Sequence, residues 1–283
     1  MTEKSDFITY PTTFENYKWY KPILVIIVTI VMFAIFFGIV IAAFSSLYGW
    51  NFLMSMTQGY EVMNTEAGQI FTDLGIIIFL PSLFIATKIV KDRPFSSYSS
   101  SRGGWNHRLY FKAMIIPAII YIIFEAIVIS INGAKGTNHF SVLFLIACLI
   151  LVPLQCIAEE YIFRGLIMQS LGSWFKIPIL VLIVQAIIFA VTHGYNSLGV
   201  FGVFVSGLVL GFFAWKTKGL EVSAALHTVN NLVAAITVMF GLDMTSTNIA
   251  LNDVILTIVL EIVLFAAIYY AGQKTDWFGE INN

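Results

Sequence analysis

The chain has 283 residues, of which 59% are apolar and 11% are charged, with a net charge of -1 and a mean hydropathy of +0.87. A water-soluble domain is about half apolar and a quarter charged, so this composition excludes a chain solvated by water alone and makes the lipid bilayer a partner. The near-neutral charge excludes a global field that would attract nucleic acid, and we expect no nucleic-acid partner.

Eight apolar stretches follow one another along the chain, each close to the roughly 20 residues that a helix needs to cross the hydrocarbon core. Backbone groups in lipid must find hydrogen-bond partners within the chain, which favours helices. The sequence therefore predicts an all-α polytopic transmembrane helical bundle of about eight helices, in a single transmembrane domain over residues 1–283. The predicted spans are Pro22–Phe44, Gly68–Thr87, Ala113–Ile131, Phe140–Ala158, Ile177–His193, Leu198–Trp215, Val222–Leu242 and Val254–Ala271.

The basic residues predict how these spans are oriented. All but one of the 15 lysine and arginine residues fall on one side of the predicted bundle, and Lys135 alone lies on the other. Cytoplasmic loops are enriched in lysine and arginine, so we expect both termini in the cytoplasm of a multi-pass cell-membrane protein. The first span is too long for the hydrophobic segment of a signal peptide, and we expect it to be permanent.

The longest loop on the basic side, Lys88–Lys112, contains the run Ser-Ser-Tyr-Ser-Ser-Ser. It is typical of a loop that sets topology, and contact with anionic lipid headgroups is the alternative. Cys148 and Cys156 lie in one apolar run, which indicates buried small side chains rather than a disulfide framework or a zinc ribbon. Glycines at near-helical spacing in the sixth span indicate close helix packing.

Ionisable groups inside hydrocarbon are costly, which makes them functional candidates. The fourth span runs into Glu159, Glu160 and Arg164. Glu160 and Arg164 are four residues apart, so on a helix they share a face and can neutralise each other. Glu159 is rotated from Glu160 by about 100° and lacks Arg164 as a direct partner. We therefore expect one glutamate to be paired and the other to be free to act as a general base.

Two further polar groups lie in later spans. His193 ends the fifth span, whereas His227 and Asn231 stand four residues apart in the seventh and face the same way. A lone membrane histidine usually hydrogen-bonds a neighbouring helix, but a glutamate, two histidines and an asparagine from separate helices indicate either a hydrolytic centre or a metal site.

Three other carboxyl groups fall within the spans, and their roles are less specific. Asp73 is expected near the membrane interface. Glu125 and Glu261 can pair with polar groups of neighbouring helices or face a water-filled cavity.

These motifs resemble those of a known family. Glu159-Glu160-x-x-x-Arg164, Phe189-x-x-x-His193 and His227-x-x-x-Asn231 match, in order and type, the three motifs of the CPBP family of intramembrane proteases, also called the CAAX-protease-like or Abi family. The resemblance covers roughly residues 140–240, and eight spans are similar to the architecture of that family.

The resemblance implies an intramembrane endopeptidase. Carried over residue by residue, Glu159 would activate the water and His193 would help to position it. His227 and Asn231 would stabilise the oxyanion, while Glu160 and Arg164 would brace the site.

The resemblance leaves the use of a metal open. The family has been described both as metalloproteases and as glutamate-dependent proteases without an essential metal. Glu159, His193 and His227 would suit zinc with an open water position, and a metal-free glutamate mechanism is equally allowed. The His-Glu-x-x-His motif of zincins is absent from the sequence.

The expected partner is a peptide or membrane-protein substrate, with or without a lipid anchor, because the family includes prenyl-protein endopeptidases and bacterial members linked to bacteriocin processing or self-immunity. A non-proteolytic bacteriocin-immunity or membrane-scaffold protein is the alternative. A transporter with a proton relay is a third reading, against which the lack of an inverted repeat counts.

The depths of the motifs along straight helices disagree. His193 lies deeper, or farther out, than Glu159 and His227, so the three side chains meet only if helices are staggered, tilted or broken. We expect the cavity that they form to open toward the cytoplasm.

Overall fold

A computed structural model describes residues 6–57 and 65–275 of the chain. Lys4 and the outermost residues of both predicted cytoplasmic ends lie outside the described part. Helices dominate the described residues, and an isolated antiparallel bridge joins Ser100 to Gly219. The structure confirms the predicted all-α polytopic bundle.

Within residues 6–57 and 65–275, seven helical stretches are long and apolar enough to cross a membrane, which makes the chain a multi-pass membrane protein. They are Lys21–Tyr48, Glu66–Val90, His107–Asn132, Val142–Phe175, Ser197–Lys216, Glu221–Met239 and Leu251–Lys274. Each corresponds to a predicted span. The remaining predicted span, the fifth, is a shorter apolar helix, Pro178–Val191.

Several of these stretches are built from consecutive elements. A 3₁₀ turn, Tyr10–Thr13, precedes the first span. A π-helix, Tyr161–Met168, lies within the fourth span and gives this span its length of 34 residues. The α-helices are α1 (Lys21–Tyr48), α2 (Trp50–Met56), α3 (Glu66–Ile77), α4 (Phe79–Val90), α5 (Ser96–Ser99), α6 (His107–Ala113), α7 (Ile115–Asn132), α8 (Val142–Glu160), α9 (Gln169–Phe175), α10 (Pro178–Val191), α11 (Ser197–Lys216), α12 (Glu221–Met239) and α13 (Leu251–Lys274).

Polar caps determine where several of these helices begin. The side chains of Thr65, Asn106, Ser141 and Asn196 each accept a hydrogen bond from the backbone N–H three residues further along. Such a cap satisfies one of the otherwise unpaired donors at a helix start. The four caps fix the first turns of α3, α6, α8 and α11. They thereby help to set which residues of these helices point into the bundle.

The short helix α10 explains how residues of different apparent depth can meet. Pro178 stands in its first turn, where a missing N–H costs nothing, and the helix ends at Val191 after 14 residues. Its length of about 21 Å is well below the roughly 30 Å of a hydrocarbon core. His193 therefore lies inside the bundle rather than at its far surface. This is the staggered arrangement of helices that the three motifs need in order to meet.

Close packing holds α10 against α11. A Cβ added to Gly207 would lie 3.2 Å from Ala186, and one added to Gly211 would lie 2.4 Å from the amide nitrogen of Gln185. Larger side chains at these two glycines would push the helices apart, which confirms the packing role predicted for the glycine stripe. Cys148 and Cys156 are free and buried, also as predicted.

Much of the loop between α4 and α6 is packed inside the protein. Arg93 and residues 97–100 are buried. The guanidinium of Arg93 stacks 3.6 Å over the ring of Tyr98 and donates to the carbonyl oxygen of Gly165 in the π-helix. Burial raises the pKa of Tyr98, which stays a neutral donor to Asp92. The loop is therefore part of the packed core beneath the π-helix.

Candidate active site

The Glu160–Arg164 pair is the most deeply buried charged group of the motifs. Both side chains have no exposed surface, and Arg164 Nη1 donates to Glu160 Oε1 at 2.8 Å. Arg164 also lies 4.2 Å over the ring of Phe189 and donates to the carbonyl oxygen of Gly207. Two opposite charges at zero exposure can coexist because each neutralises the other. The predicted pairing is present, although Arg164 stands in a π-helix rather than an α-helix.

Glu160 joins this pair to α12. Its Oε2 accepts a hydrogen bond from the Ser223 hydroxyl, and its Oε1 lies 3.0 Å from His227 Nδ1. A carboxylate accepts and does not donate, so the proton of His227 sits on Nδ1 when the ring is neutral. Glu160 therefore fixes the orientation and the tautomer of His227.

Glu159 points toward His227 as well, and the sequence did not predict this contact. Its Oε2 lies 3.3 Å from His227 Nε2, and the side chain retains 13% exposure, whereas that of Glu160 has none. Glu159 lacks Arg164 as a direct partner, as predicted, but it is not free. His227 stands between the two glutamates, with one ring nitrogen facing each carboxylate.

His193 and Asn231 complete the set of predicted residues. His193 Nδ1–H donates to the carbonyl oxygen of Phe189 at 2.8 Å, so a neutral ring carries its lone pair on Nε2. The amide of Asn231 donates to Gln155 at 3.2 Å. The side chains of Glu159, His193, His227 and Asn231 line the same cavity. All six predicted site residues thus lie in one place or in direct contact with it.

The cavity has a volume of about 320 Å³, at the lower end of the range of about 300–1,000 Å³ that is usual for ligand pockets. Its walls also carry Asp73, which accepts from Gln69 at 2.9 Å, and Glu261, which accepts from Ser206 at 2.5 Å. Both carboxyl groups are buried within the protein. Glu125 does not line this cavity. Glu261 thus faces the cavity and pairs with Ser206 of a neighbouring helix, whereas the position of Asp73 relative to the membrane interface stays a prediction.

Packed side chains close one side of the cavity. On the side of Glu159 toward the basic loops the structure is filled by Glu160, Arg164, Ser223 and Gln185, all with 0% exposure. We call these four side chains the floor of the cavity. The lining residues of the cavity also include Thr192, which is exposed. The expected opening toward the cytoplasm stays a prediction, because it depends on the orientation of the bundle in the membrane.

The possible zinc ligands lie near one another but are not arranged as a metal site. Within residues 6–57 and 65–275, no three His, Cys, Asp or Glu side chains are placed so that they could hold a metal ion together. Both ring nitrogens of His227 face carboxylates, and Nδ1 of His193 faces a backbone carbonyl. The set Glu159, His193 and His227 therefore does not fit a zinc site in this arrangement.

Gln155 and Ser223 are among the polar residues of the site that sequence analysis missed. Gln155 holds Asn231, and Ser223 holds Glu160. Gln155 precedes Glu159 by four residues, and Ser223 precedes His227 by four. The rule that identified Arg164, applied toward the N-terminus from each motif, would have found both. Nothing in the spacing could have indicated Arg93, because its contact with Gly165 depends on how the loop folds.

Comparison with known proteins places this site in a family context. Residues 140–233 match the family described as "Type II CAAX prenyl endopeptidase Rce1-like", and all six predicted site residues lie in that range. This match confirms the resemblance indicated by the motifs.

A curated relative, "Uncharacterized protein YyaK" of Bacillus subtilis (strain 168), is 28% identical over 167 residues, which are 54% of this chain and 55% of that protein. The match thus spans about half the length of the curated relative. No solved structure gives a significant match.

Proposed function

We propose that this multi-pass protein, whose residues 140–233 match the Type II CAAX prenyl endopeptidase family, is an intramembrane endopeptidase that hydrolyses peptide bonds with a water activated by Glu159. The observation that carries the proposal is the position of His227 between Glu159 at 3.3 Å and Glu160 at 3.0 Å, at the wall of a polar cavity inside the bundle. The substrate is a peptide or a segment of a membrane protein.

The proposed reaction begins at Glu159. Its carboxylate takes a proton from a water molecule while the water oxygen attacks the carbonyl carbon of the scissile bond. The carbonyl π electrons move to the oxygen, where the amide of Asn231 can donate to the resulting oxyanion. His227 can also donate there through Nε2–H when its ring is protonated, because its Nδ1–H is held by Glu160. When the tetrahedral intermediate collapses, the C–N bond breaks and the proton held by Glu159 passes to the leaving nitrogen.

The remaining residues position these groups. Glu160 is held ionised by Arg164 and accepts from Ser223, so it can anchor His227 Nδ1–H without itself taking part in proton transfer. His193, with its proton on Nδ1, presents Nε2 as an acceptor that can orient the attacking water. Arg164 is therefore proposed to act on the reaction through Glu160, not by touching the substrate.

The proposal uses no metal, because the geometry offers no set of three donors within the described residues. We expect strong chelators to leave activity unchanged. Loss of activity on chelation, restored by zinc, would show that the ligands rearrange around a metal and would overturn this part of the proposal.

The test compares wild type with Glu159→Gln in native membranes, with peptide and membrane-protein fragments scored by mass spectrometry. Fragments present in wild type should be lost in Glu159→Gln, a nearly isosteric change that removes the base. Glu125→Gln is the matched control, because it neutralises another membrane glutamate that does not line the cavity. Identical fragments in all three, with the proteins folded, would favour a non-proteolytic immunity or scaffold protein.

A further inference from the structure

The order of polar contacts along α12 shows how the cavity lies relative to the basic loops. The helix begins with Glu221, whose Oε2 accepts from Arg102 of the basic loop at 2.7 Å. Ser223 follows and bonds the buried Glu160, then His227 faces Glu159, and Asn231 bonds Gln155. Reading α12 from its start therefore leads from the basic loop, through the floor, to the cavity.

The fourth span gives the same order from the opposite direction. Gln155 and Glu159 line the cavity, Glu160 and Arg164 belong to the floor, and the carbonyl oxygen of Gly165 accepts from Arg93 of the basic loop at 3.2 Å. Two helices that run in opposite directions thus agree. The basic loop and the cavity lie on opposite sides of the floor.

The floor is closely packed, whereas the other end of the cavity has exposed side chains. Below the floor, Tyr98 and Leu220 also have 0% exposure, so packed side chains continue from Glu160 to the basic loop. At the other end, Thr192 and Asn230 line the cavity and are exposed, and His193 and Tyr195 are half-buried. A peptide can therefore approach Glu159 past the residues that follow α10, but not through the floor.

We infer that the cavity opens on the extracytoplasmic side of the membrane and that the protein cleaves peptide segments presented there, such as an exported peptide or the outer end of a membrane-protein span. The side is assigned by the basic loops, which mark the cytoplasm. The identity of the cleaved segment rests on the proposed function, whereas the position of the mouth rests on the packing alone. A peptide presented in the cytoplasm would meet the floor instead of the mouth.

The test is labelling of single introduced cysteines in intact cells with a membrane-impermeant maleimide. Thr192→Cys and Asn230→Cys report on the mouth, with Lys135→Cys as the control on the extracytoplasmic side and Arg108→Cys as the control in the basic loop region. The unmodified chain gives the background, which should be low because Cys148 and Cys156 are buried.

We expect both mouth variants to be labelled in intact cells together with Lys135→Cys, and Arg108→Cys to be labelled only after permeabilisation. Labelling of the mouth variants only after permeabilisation would overturn the inference. So would resistance to the impermeant reagent in both conditions combined with reaction toward a lipid-soluble maleimide, because access would then be from the bilayer. Labelling does not depend on cleavage, so the result stands whatever Glu159→Gln does to proteolysis.

Discussion

At the scale of single residues, the site is organised around His227. Its two ring nitrogens face two glutamates that differ in what else surrounds them, since Glu160 is bound to Arg164 and Ser223 whereas Glu159 lines the cavity. Neighbouring carboxylates can have different tasks because their surroundings differ. Here the surroundings assign Glu160 to support and Glu159 to chemistry.

The buried pair makes a prediction about stability. Glu160→Gln should lower the free energy of unfolding by about 3–5 kcal/mol, because it leaves the Arg164 guanidinium buried without a counter-charge. The measurement is unfolding of the purified protein in mixed micelles with increasing SDS, followed by circular dichroism.

The matched control is an ion pair near the surface. Lys135 and Asp243 lie 3.5 Å apart with side chains 47% and 44% exposed, so Lys135→Ala should change stability by no more than about 1 kcal/mol. Equal effects of the two substitutions would show that Arg164 finds another partner or water when Glu160 is neutral.

Residue spacing predicted a contact within one helical stretch but not the contacts between helices. The four-residue spacing of Glu160 and Arg164 was sufficient to predict their ion pair. The contact between Glu159 and His227 joins two helices whose relative rotation is set by packing, and a single sequence carries no direct signal of it. For the same reason, spacing could not show that the possible zinc ligands form no three-donor cluster in the described residues.

At the scale of helices, the π-helix connects the site to the loop beneath it. Its hydrogen bonds span one residue more than those of an α-helix, and such turns are frequent at functional sites. The predicted fourth span ended at Ala158, before the π-helix, because hydropathy does not show that the helical path continues past the charged residues to Phe175. The two limits of α10 have signals in the sequence, unlike the π-helix. Pro178 stands at the start of α10, and Gly194, which has φ +65°, follows its end.

Gly165 provides a test of this element. A Cβ at this position would lie 2.7 Å from the carbonyl oxygen of Tyr98, a backbone atom that cannot turn aside. We expect Gly165→Ala to cost about 1–3 kcal/mol of stability, as overpacking commonly does. Because the displaced turn also carries Arg164, activity should fall as well. Both effects are measured by unfolding in SDS and by loss of the fragments that depend on Glu159.

Gly38 of α1 is the matched control, because a Cβ there would meet nothing within 4 Å. Gly38→Ala should be neutral, or stabilise by up to about 1 kcal/mol through its better helix propensity. If Gly165→Ala were equally harmless, the loop would not be pressed against the π-helix as described.

At the scale of the whole molecule, composition and hydropathy were sufficient to predict the bundle. Seven predicted spans correspond to helices long enough to cross a membrane and the fifth to a shorter apolar helix, since a helix in lipid must be apolar over its length. The direction that we infer for the opening of the cavity is opposite to the one predicted from sequence. It depends on which layer of a staggered bundle is filled, and hydropathy averaged along each span does not contain that information.

The orientation itself is open to a direct test. A green fluorescent protein fused after residue 275 should be fluorescent in bacterial cells, and alkaline phosphatase inserted at Gly136 should be active, because the first folds in the cytoplasm and the second outside it. Exchanging the two reporters between the sites should abolish both the fluorescence and the phosphatase activity. Activity of the phosphatase at residue 275 would reverse the orientation derived from the basic residues.

The closed floor has a consequence for the order of events in catalysis. Hydrolysis consumes a water molecule for each bond cleaved, and with the floor packed, water must enter by the same mouth as the peptide. A bound peptide therefore restricts the entry of the water molecule that is needed to hydrolyse it. Either the water is already stored beside Glu159 when the peptide arrives, or a product must leave before the next water can enter, so product departure and rehydration would set the turnover rate together.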